Sequence, residues 1–394
     1  MTFQINGTSG VNGVAINSTN ANAGSFSTIN LSAGILSTTI GQNLNFLSSD
    51  TNLLQLDTAG NVKLQVESGT LQTASGKSFS PYNLKNKIIN GNFDIWQRGT
   101  TQTTSMYGSD DRWANISVGS TKVHSRQAFT LGQTAVPNNP KYYSRTVVTS
   151  VAGANNLVAK AHHIEGVAKS SGKTMTLSFW AKADANKNII AMWTQNFGTG
   201  GTPSGAVSVY ENVVSLTASW QKFTMTVDFP SVAGKNLGTN NNDYYGIGFW
   251  FDQGSNFGNA IGQQSGTFDI AQVQLEEGSV ATEFEDRPIG YELLLCQRYY
   301  EVMGGAVNAL WGASYGAGVG NGGTRFPLTF KAIKQQNPTI AVQGTWLVTN
   351  VSQPVAQNIR TRGFYLTGTS TGTAVPCGFY CNSTDDLITI DAEI

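Results

Sequence analysis

The chain has 394 residues, with 24 Lys+Arg against 24 Asp+Glu, and only 12% of its residues are charged. That balance excludes the basic patch on which sequence-independent nucleic-acid binding depends, and no apolar run approaches the ~20 residues of a membrane span. Glycine is abundant at 44 and long Leu/Ala/Glu/Lys runs are missing, a profile of extended β structure in a harsh or extracellular setting.

The first segment spans residues 1–84. Its opening, MTFQINGTSG, lacks the basic region and apolar core of a signal peptide, so any exterior location is expected by another route. Residues 1–30 are irregular and suit an attachment role. Further on, Leu54, Leu56, Val62, Leu64, Val66 and Leu71 alternate with polar residues between turn signals, predicting short successive strands. Strands so short bury too little apolar surface to offset their ordering entropy. The segment is therefore expected to form a shaft with identical partners or to remain a flexible linker.

Composition shifts between Phe79 and Lys87, and residues 85–287 read as one β-sandwich domain. MTLSFWAKA, SWQKFTMTVDF, YYGIGFWF and GTFDIAQVQL alternate like strands, joined by Gly/Asn/Pro-rich connectors without intervening helices. Parity assigns Met175, Leu177 and Phe179 to the core and leaves Trp180 outside. It likewise leaves Trp250 and Tyr244 opposite the core series Tyr245, Ile247, Phe249 and Phe251, while Trp220 shares a face with Lys222 and Thr224. Large aromatic rings on polar strand faces suit a sugar platform, because pyranose C–H faces pack on rings while polar neighbours bond hydroxyls. The competing expectation is burial under another layer, a subunit interface or a helix.

Residues 288–303 follow as a predicted linking helix. Pro288 fits a first helical turn, Glu285 or Asp286 is expected to cap it, and Ile289, Leu293, Cys296, Tyr300 and Met303 recur at four-three spacing. That stripe either joins two symmetry mates as a three-helix junction or lies on the sandwich as a lid. Residues 304–394 read as a second β domain, with Trp311, Tyr315, Trp346, Tyr365 and Tyr380 available for its core or for receptor contact. Cys377 and Cys381 are expected as thiols rather than a bridge, and three histidines leave almost no material for a Cys/His zinc site.

Chemistry of bond cleavage finds little support. Asp110 and Asp111 are adjacent, and neighbours on a strand point to opposite faces, a poor arrangement for the two carboxylates of glycoside cleavage. Asp111 is expected to bridge Arg112 or to tie down a turn. The run GGAVNALWGASYGAGVGNGG lacks the Lys-Ser/Thr ending of a phosphate-binding loop. A non-catalytic protein is expected.

KNKIINGNFDIWQRGTTQTTSMYGSDDRWANIS, MTLSFWAKA, FDIAQVQLEEGSVATEFEDRPIG and ELLLCQRYY resemble carbohydrate-binding-type β-sandwiches carried on phage tail fibres and related tail proteins, as does the closing IDAEI. The resemblance covers roughly Lys85 to Tyr300. It implies a mainly β, jelly-roll-like receptor-binding protein, homotrimeric, attached to tail or baseplate proteins through its N-terminus and binding a host-surface polysaccharide. Such a virion protein is made in the host cytoplasm and released by lysis. The resemblance also implies a structural calcium at Asn92, Asp94 and Asp269, where NGNFDIW and TFDIAQVQL would lie side by side; otherwise the two aspartates serve loop N–H groups. A tailspike-type depolymerase and a purely structural tail component are the alternative functions.

Overall fold

The computed structural model describes residues 84–258, 260–305, 310–315, 323–370 and 376–394, together with strands β1 (Leu44–Leu47), β2 (Asn52–Leu56) and β3 (Val62–Val66). The chain divides into two compact units, residues 1–72 and 73–394. In the first, β1, β2 and β3 form an antiparallel sheet in that order, where the Leu/Val alternation predicts strands. The expected attachment segment, residues 1–30, lies outside the described residues.

The second unit opens with β4 (Thr101–Gln102), β5 (Trp113–Val118), β6 (Thr121–Ala128), β7 (Tyr142–Thr149) and β8 (Leu157–Glu165). It continues through β9 (Thr174–Ala183), β10 (Lys187–Asn196), β11 (Val207–Leu216), β12 (Gln221–Asp228), β13 (Tyr244–Gln253) and β14 (Gly266–Glu277). These strands make two antiparallel sheets, ordered β11-β10-β13-β8-β5 and β12-β9-β14-β7-β6-β4. Only β6–β7 and β10–β11 are successive strands of one sheet; at every other step from β4 to β14 the chain changes sheet, giving a jelly-roll-like sandwich. Its core is one cluster to which both sheets contribute: Leu177 and Phe179 from β9, Trp193 from β10, Ile247 and Phe249 from β13, Phe268 from β14. Period-two patterning drives this, since one face of each strand can leave water only against the other sheet.

NGNFDIW, which opens the sandwich, does lie beside β14, which closes it. Asn86 Oδ1 accepts from Leu275 N, Lys87 N donates to Leu275 O at 2.7 Å, and Val273 N donates to Gly91 O at 2.9 Å. A Cβ at position 91 would fall 2.1 Å from the Val273 carbonyl oxygen, so only glycine fits there.

The helix differs from expectation. Helix α1 spans Ile289–Gln297, and Tyr300 and Met303 belong instead to strand β15 (Tyr300–Gly304). A nine-residue helix gains little on its own; pairing with a β strand satisfies the following backbone more fully. The inward residues of α1 are Glu292 and Cys296, while Ile289 is 60% exposed. The four-three stripe is therefore not one continuous seam. Glu292 faces inward because it accepts the Asn90 backbone N–H and the Arg287 guanidinium, 3.1 Å away. Neither Glu285 nor Asp286 caps the helix; Glu285 accepts from Asn86 N at 2.8 Å instead.

After α1 come β15, β16 (Leu310–Tyr315), β17 (Gly323–Thr329), β18 (Thr339–Val342) and β19 (Leu347–Thr349). They are followed by β20 (Val355–Arg360), β21 (Gly363–Thr369), β22 (Pro376–Tyr380) and β23 (Leu387–Asp391). Three antiparallel sheets, β15-β23-β18, β16-β22-β19 and β17-β21-β20, enclose a second core that includes Trp346, Phe364, Leu366, Phe379 and Ile390. Cys377 and Cys381 lie buried in it, Cys296 is buried under α1, and no disulfide joins the three. Arg98 and Arg112 both pair with Glu393, and Arg298 with Glu165 at 3.0 Å, so ion pairs lock the second β region to the sandwich.

Candidate functional site on the outer face of the six-stranded sheet

Even-numbered residues of β9 face away from the core, which places Trp180 and Lys182 on the outer surface. Across the sheet, Lys222 of β12 and Ala271 of β14 stand opposite Trp180, and Asp269 of β14 stands opposite Lys182. Asp269 in turn faces Arg145 of β7, and Tyr143, two residues earlier, shares the Arg145 side. Trp220 enters from the turn before β12, and Phe129 from the end of hairpin β6–β7, where Phe129 N donates to Lys141 O.

These side chains meet. Phe129 and Tyr143 have ring centroids 4.7 Å apart, and Trp220 lies 5.3 Å from each, edge-on to Tyr143 at 84°. Arg145 grips Asp269 with two parallel hydrogen bonds, Nε to Oδ1 at 2.7 Å and Nη2 to Oδ2 at 2.8 Å, and Nη2 also donates to Tyr143 Oη at 3.2 Å. Lys182 Nζ is 3.7 Å from Asp269 Oδ2 and 5.5 Å from the Trp220 ring centroid. The paired Asp269 raises the Arg145 guanidinium above its ordinary value, chiefly through their hydrogen bonds. Burial, with the Asp269 charge, raises the Tyr143 phenol, so its hydroxyl stays protonated and can donate. The three rings are half-buried: they are held by contacts on one side and open on the other.

Such a surface presents apolar ring area beside fixed donors and an acceptor, which suits a polyol with both C–H faces and hydroxyls. Of the sequence-predicted platform residues, Trp220 stands in this cluster and Trp180 lies on the same outer face of the sheet. The others go elsewhere. Trp250 is on the opposite outer face, edge-on to Phe257, and Tyr244 stacks on His163, whose Nδ1 lies 3.1 Å from the Ile394 carbonyl oxygen. Trp311 packs against the second core, 5.6 Å from Trp346, and the side chain of Tyr315 lies outside the described residues. Phe129, Tyr143, Lys182 and Arg145 were not singled out from sequence. Alternation in KYYSRTVV, which sets Tyr143 and Arg145 on one face, is the signal that would have found two of them.

The expected calcium residues are not arranged for a cation. Asp269 is already occupied by Arg145 and Lys182, and two positive groups on one carboxylate repel a third. Asn92 donates its amide to Asp94 Oδ2 at 2.8 Å. No group of three or more His, Cys, Asp or Glu able to hold a metal occurs among the described residues. Asp269 therefore serves neither calcium nor loop N–H groups.

Asp110 and Asp111 take separate roles, and of the two alternatives expected for Asp111 the tied-down turn is the one found. Both are buried. Asp110 reaches between the sheets to Lys160 of β8 and to His124 of β6, whose Nε2 is 3.0 Å away. Burial would raise the Asp110 carboxyl, but His124 and Lys160 hold it below the usual carboxylate range. Burial lowers Lys160 to about 8 and His124 to about 4, against the opposing pull of Asp110. Asp111 does not bridge Arg112: it accepts from Gln97 N at 3.0 Å and ties down that loop, while Arg112 pairs with Glu393.

No protein-family model matches the chain, and no curated protein matches it. Among solved structures, a carbohydrate-binding module of family 4 is 19% identical, covering 48% of this chain and 98% of its own, with a TM-score of 0.29. The family 11 module from Clostridium thermocellum, in complex with a β-1,3-1,4-mixed-linked tetrasaccharide, is 11% identical over 47% of this chain and 98% of its own, at 0.27. The enzymatically active domain of tailspike protein 4 from bacteriophage CBA120 is 12% identical over 49% of this chain, but only 21% of that chain is covered, at 0.29. Likeness at this level assigns no ligand and no activity to the present chain.

Proposed function

We propose that this chain is a receptor-binding component of a viral tail that recognises a host-surface glycan without cleaving it. The observation that carries the reading is the platform of Trp220, Tyr143 and Phe129 beside the Arg145–Asp269–Lys182 ion group. A hydroxyl-rich ligand with apolar faces needs that combination. Assembly as a homotrimer, attached through the N-terminal residues to tail or baseplate proteins, would multiply weak sites into avidity.

A glycan array probed with the full chain, followed by calorimetry on the best ligand, tests the reading. Trp220→Ala is expected to weaken binding by about 2 kcal/mol, roughly 30-fold, as loss of a central aromatic contact does. The far-UV spectrum should stay the same, because Trp220 lies outside the core cluster. Binding that is unchanged by Trp220→Ala, or no glycan bound at all, removes the proposal.

Oligomeric state is a separate measurement. Light scattering is expected to give three times the 42.0 kDa of one chain. Leu293→Asp should lower that mass if α1 takes part in the contact. If the trimer persists and only melting shifts, α1 acts as a lid on its own sandwich, where Cys296 and Glu292 already anchor it.

A further inference from the structure

Hairpin β6–β7 has a second face. Tyr143 and Arg145 point to the platform, whereas Arg126 and Tyr142 have the opposite parity and line a cleft of about 630 Å³ with Lys141, Asp94 and Asp286. Segment 286–289 and the turn carrying Asp94 close it. The Arg126 guanidinium carbon is 4.3 Å from the Tyr142 ring centroid, and Lys141 Nζ is 5.0 Å from it. The ring thus holds two cations by their attraction to its face. Among the described residues no carboxylate forms an ion pair with either. Arg287, also at the cleft, is already committed to Glu292 at 3.1 Å and Glu285 at 3.6 Å.

We propose that this cleft binds an acidic sugar of the uronate class, its carboxylate pairing with Arg126 and Lys141 and its hydroxyls donating to Asp94 and Asp286. The inference rests on the glycan reading and deepens it, naming a charged unit of the ligand that the platform alone does not select. Two unpaired cations on one wall call for an anion. Two carboxylates on the other wall decide which kind: they accept hydroxyl hydrogens but repel a phosphate dianion, so a singly charged, hydroxyl-rich acid fits best. Burial raises the Asp94 carboxyl, against the Asn92 hydrogen bond and the facing Lys141 charge, which lower it.

The test titrates the full chain with trigalacturonate and, separately, with neutral galactotriose. The wild type is compared with Lys141→Gln, Arg126→Gln/Lys141→Gln and Trp220→Ala. The double variant is expected to lose at least tenfold in trigalacturonate affinity and to keep its galactotriose affinity, and wild-type trigalacturonate binding should weaken with added salt. Should the double variant melt early, Lys141→Gln alone, at an exposed position, should still lose about threefold. Equal wild-type affinity for the two trisaccharides, or unchanged trigalacturonate binding in the double variant, overturns the cleft assignment. In either case galactotriose binding that depends on Trp220 leaves the platform reading standing. Binding of neither trisaccharide overturns the cleft. Shortened products in the mass spectrum overturn a purely non-covalent role for it.

Discussion

Asp110→Ala is expected to destabilise the protein by about 3–5 kcal/mol, the usual cost of leaving a buried charge without its partner. At roughly 2–4 °C per kcal/mol for domains of comparable size, calorimetry should show the midpoint falling by about 10 °C. Among the described residues Asp110 is the one acid that pairs with Lys160 and His124, and all three side chains are almost fully buried between the sheets. Lys160 Nζ also sits 5.2 Å from the Trp113 ring centroid and 5.5 Å from that of Phe93, inside the core. Adding Lys160→Met should recover part of the loss, because removing both charges leaves no orphan. A loss under ~1 kcal/mol would mean that the ion group does not hold the sheets together.

Acid should loosen the protein well above the range where carboxylates alone titrate. The unfolded chain protonates its histidines near 6.5. In the folded protein burial lowers His124 and His163 to about 4 and His162 well below its ordinary value. Between pH 6.5 and 4 the unfolded chain therefore binds protons that the folded chain refuses, and stability falls as pH falls through that window. For His124 alone a gap of this size corresponds to roughly 3 kcal/mol. Asp111 works in the opposite direction, since burial raises it to about 6 and the folded state takes up its proton first. Asp94, also raised by burial, acts in the same sense as Asp111; three histidines outweigh these two carboxyls, so the urea midpoint should drop steadily from pH 7 to pH 4.5. A flat midpoint across that range would show that water reaches these rings.

Legibility from sequence tracked how local the cause was. The parity of MTLSFWAKA placed Trp180 outside and Phe179 inside, and that of YYGIGFWF placed Trp250 outside and Phe249 inside, because a strand's alternation is fixed by its own backbone. The side-by-side approach of NGNFDIW and β14 was likewise legible, from their places at the start and end of the sandwich. Failures came where distant residues competed. The spacing of Tyr300 and Met303 fitted a helix, but pairing of β15 with Leu387–Asp391 claimed those residues for a sheet. Asp269 looked like a loop or calcium ligand until β7 brought Arg145 opposite it. Glu292, charged and set within an apolar stripe, turned inward because Asn90 and Arg287 needed an acceptor.

By itself, then, the sequence determined the β class and the alternation of each sandwich strand. Those follow from composition and from a two-residue period that no neighbour can alter. Only the tertiary structure decided which exposed aromatic rings share a surface. It separated Trp250, Tyr244 and Trp311 from the face that carries Trp180 and Trp220, and it set Tyr143 and Phe129 against Trp220, with Arg145 beside them. Strand order sets those contacts, and it comes from the packing of two sheets on one core rather than from any single stretch of chain.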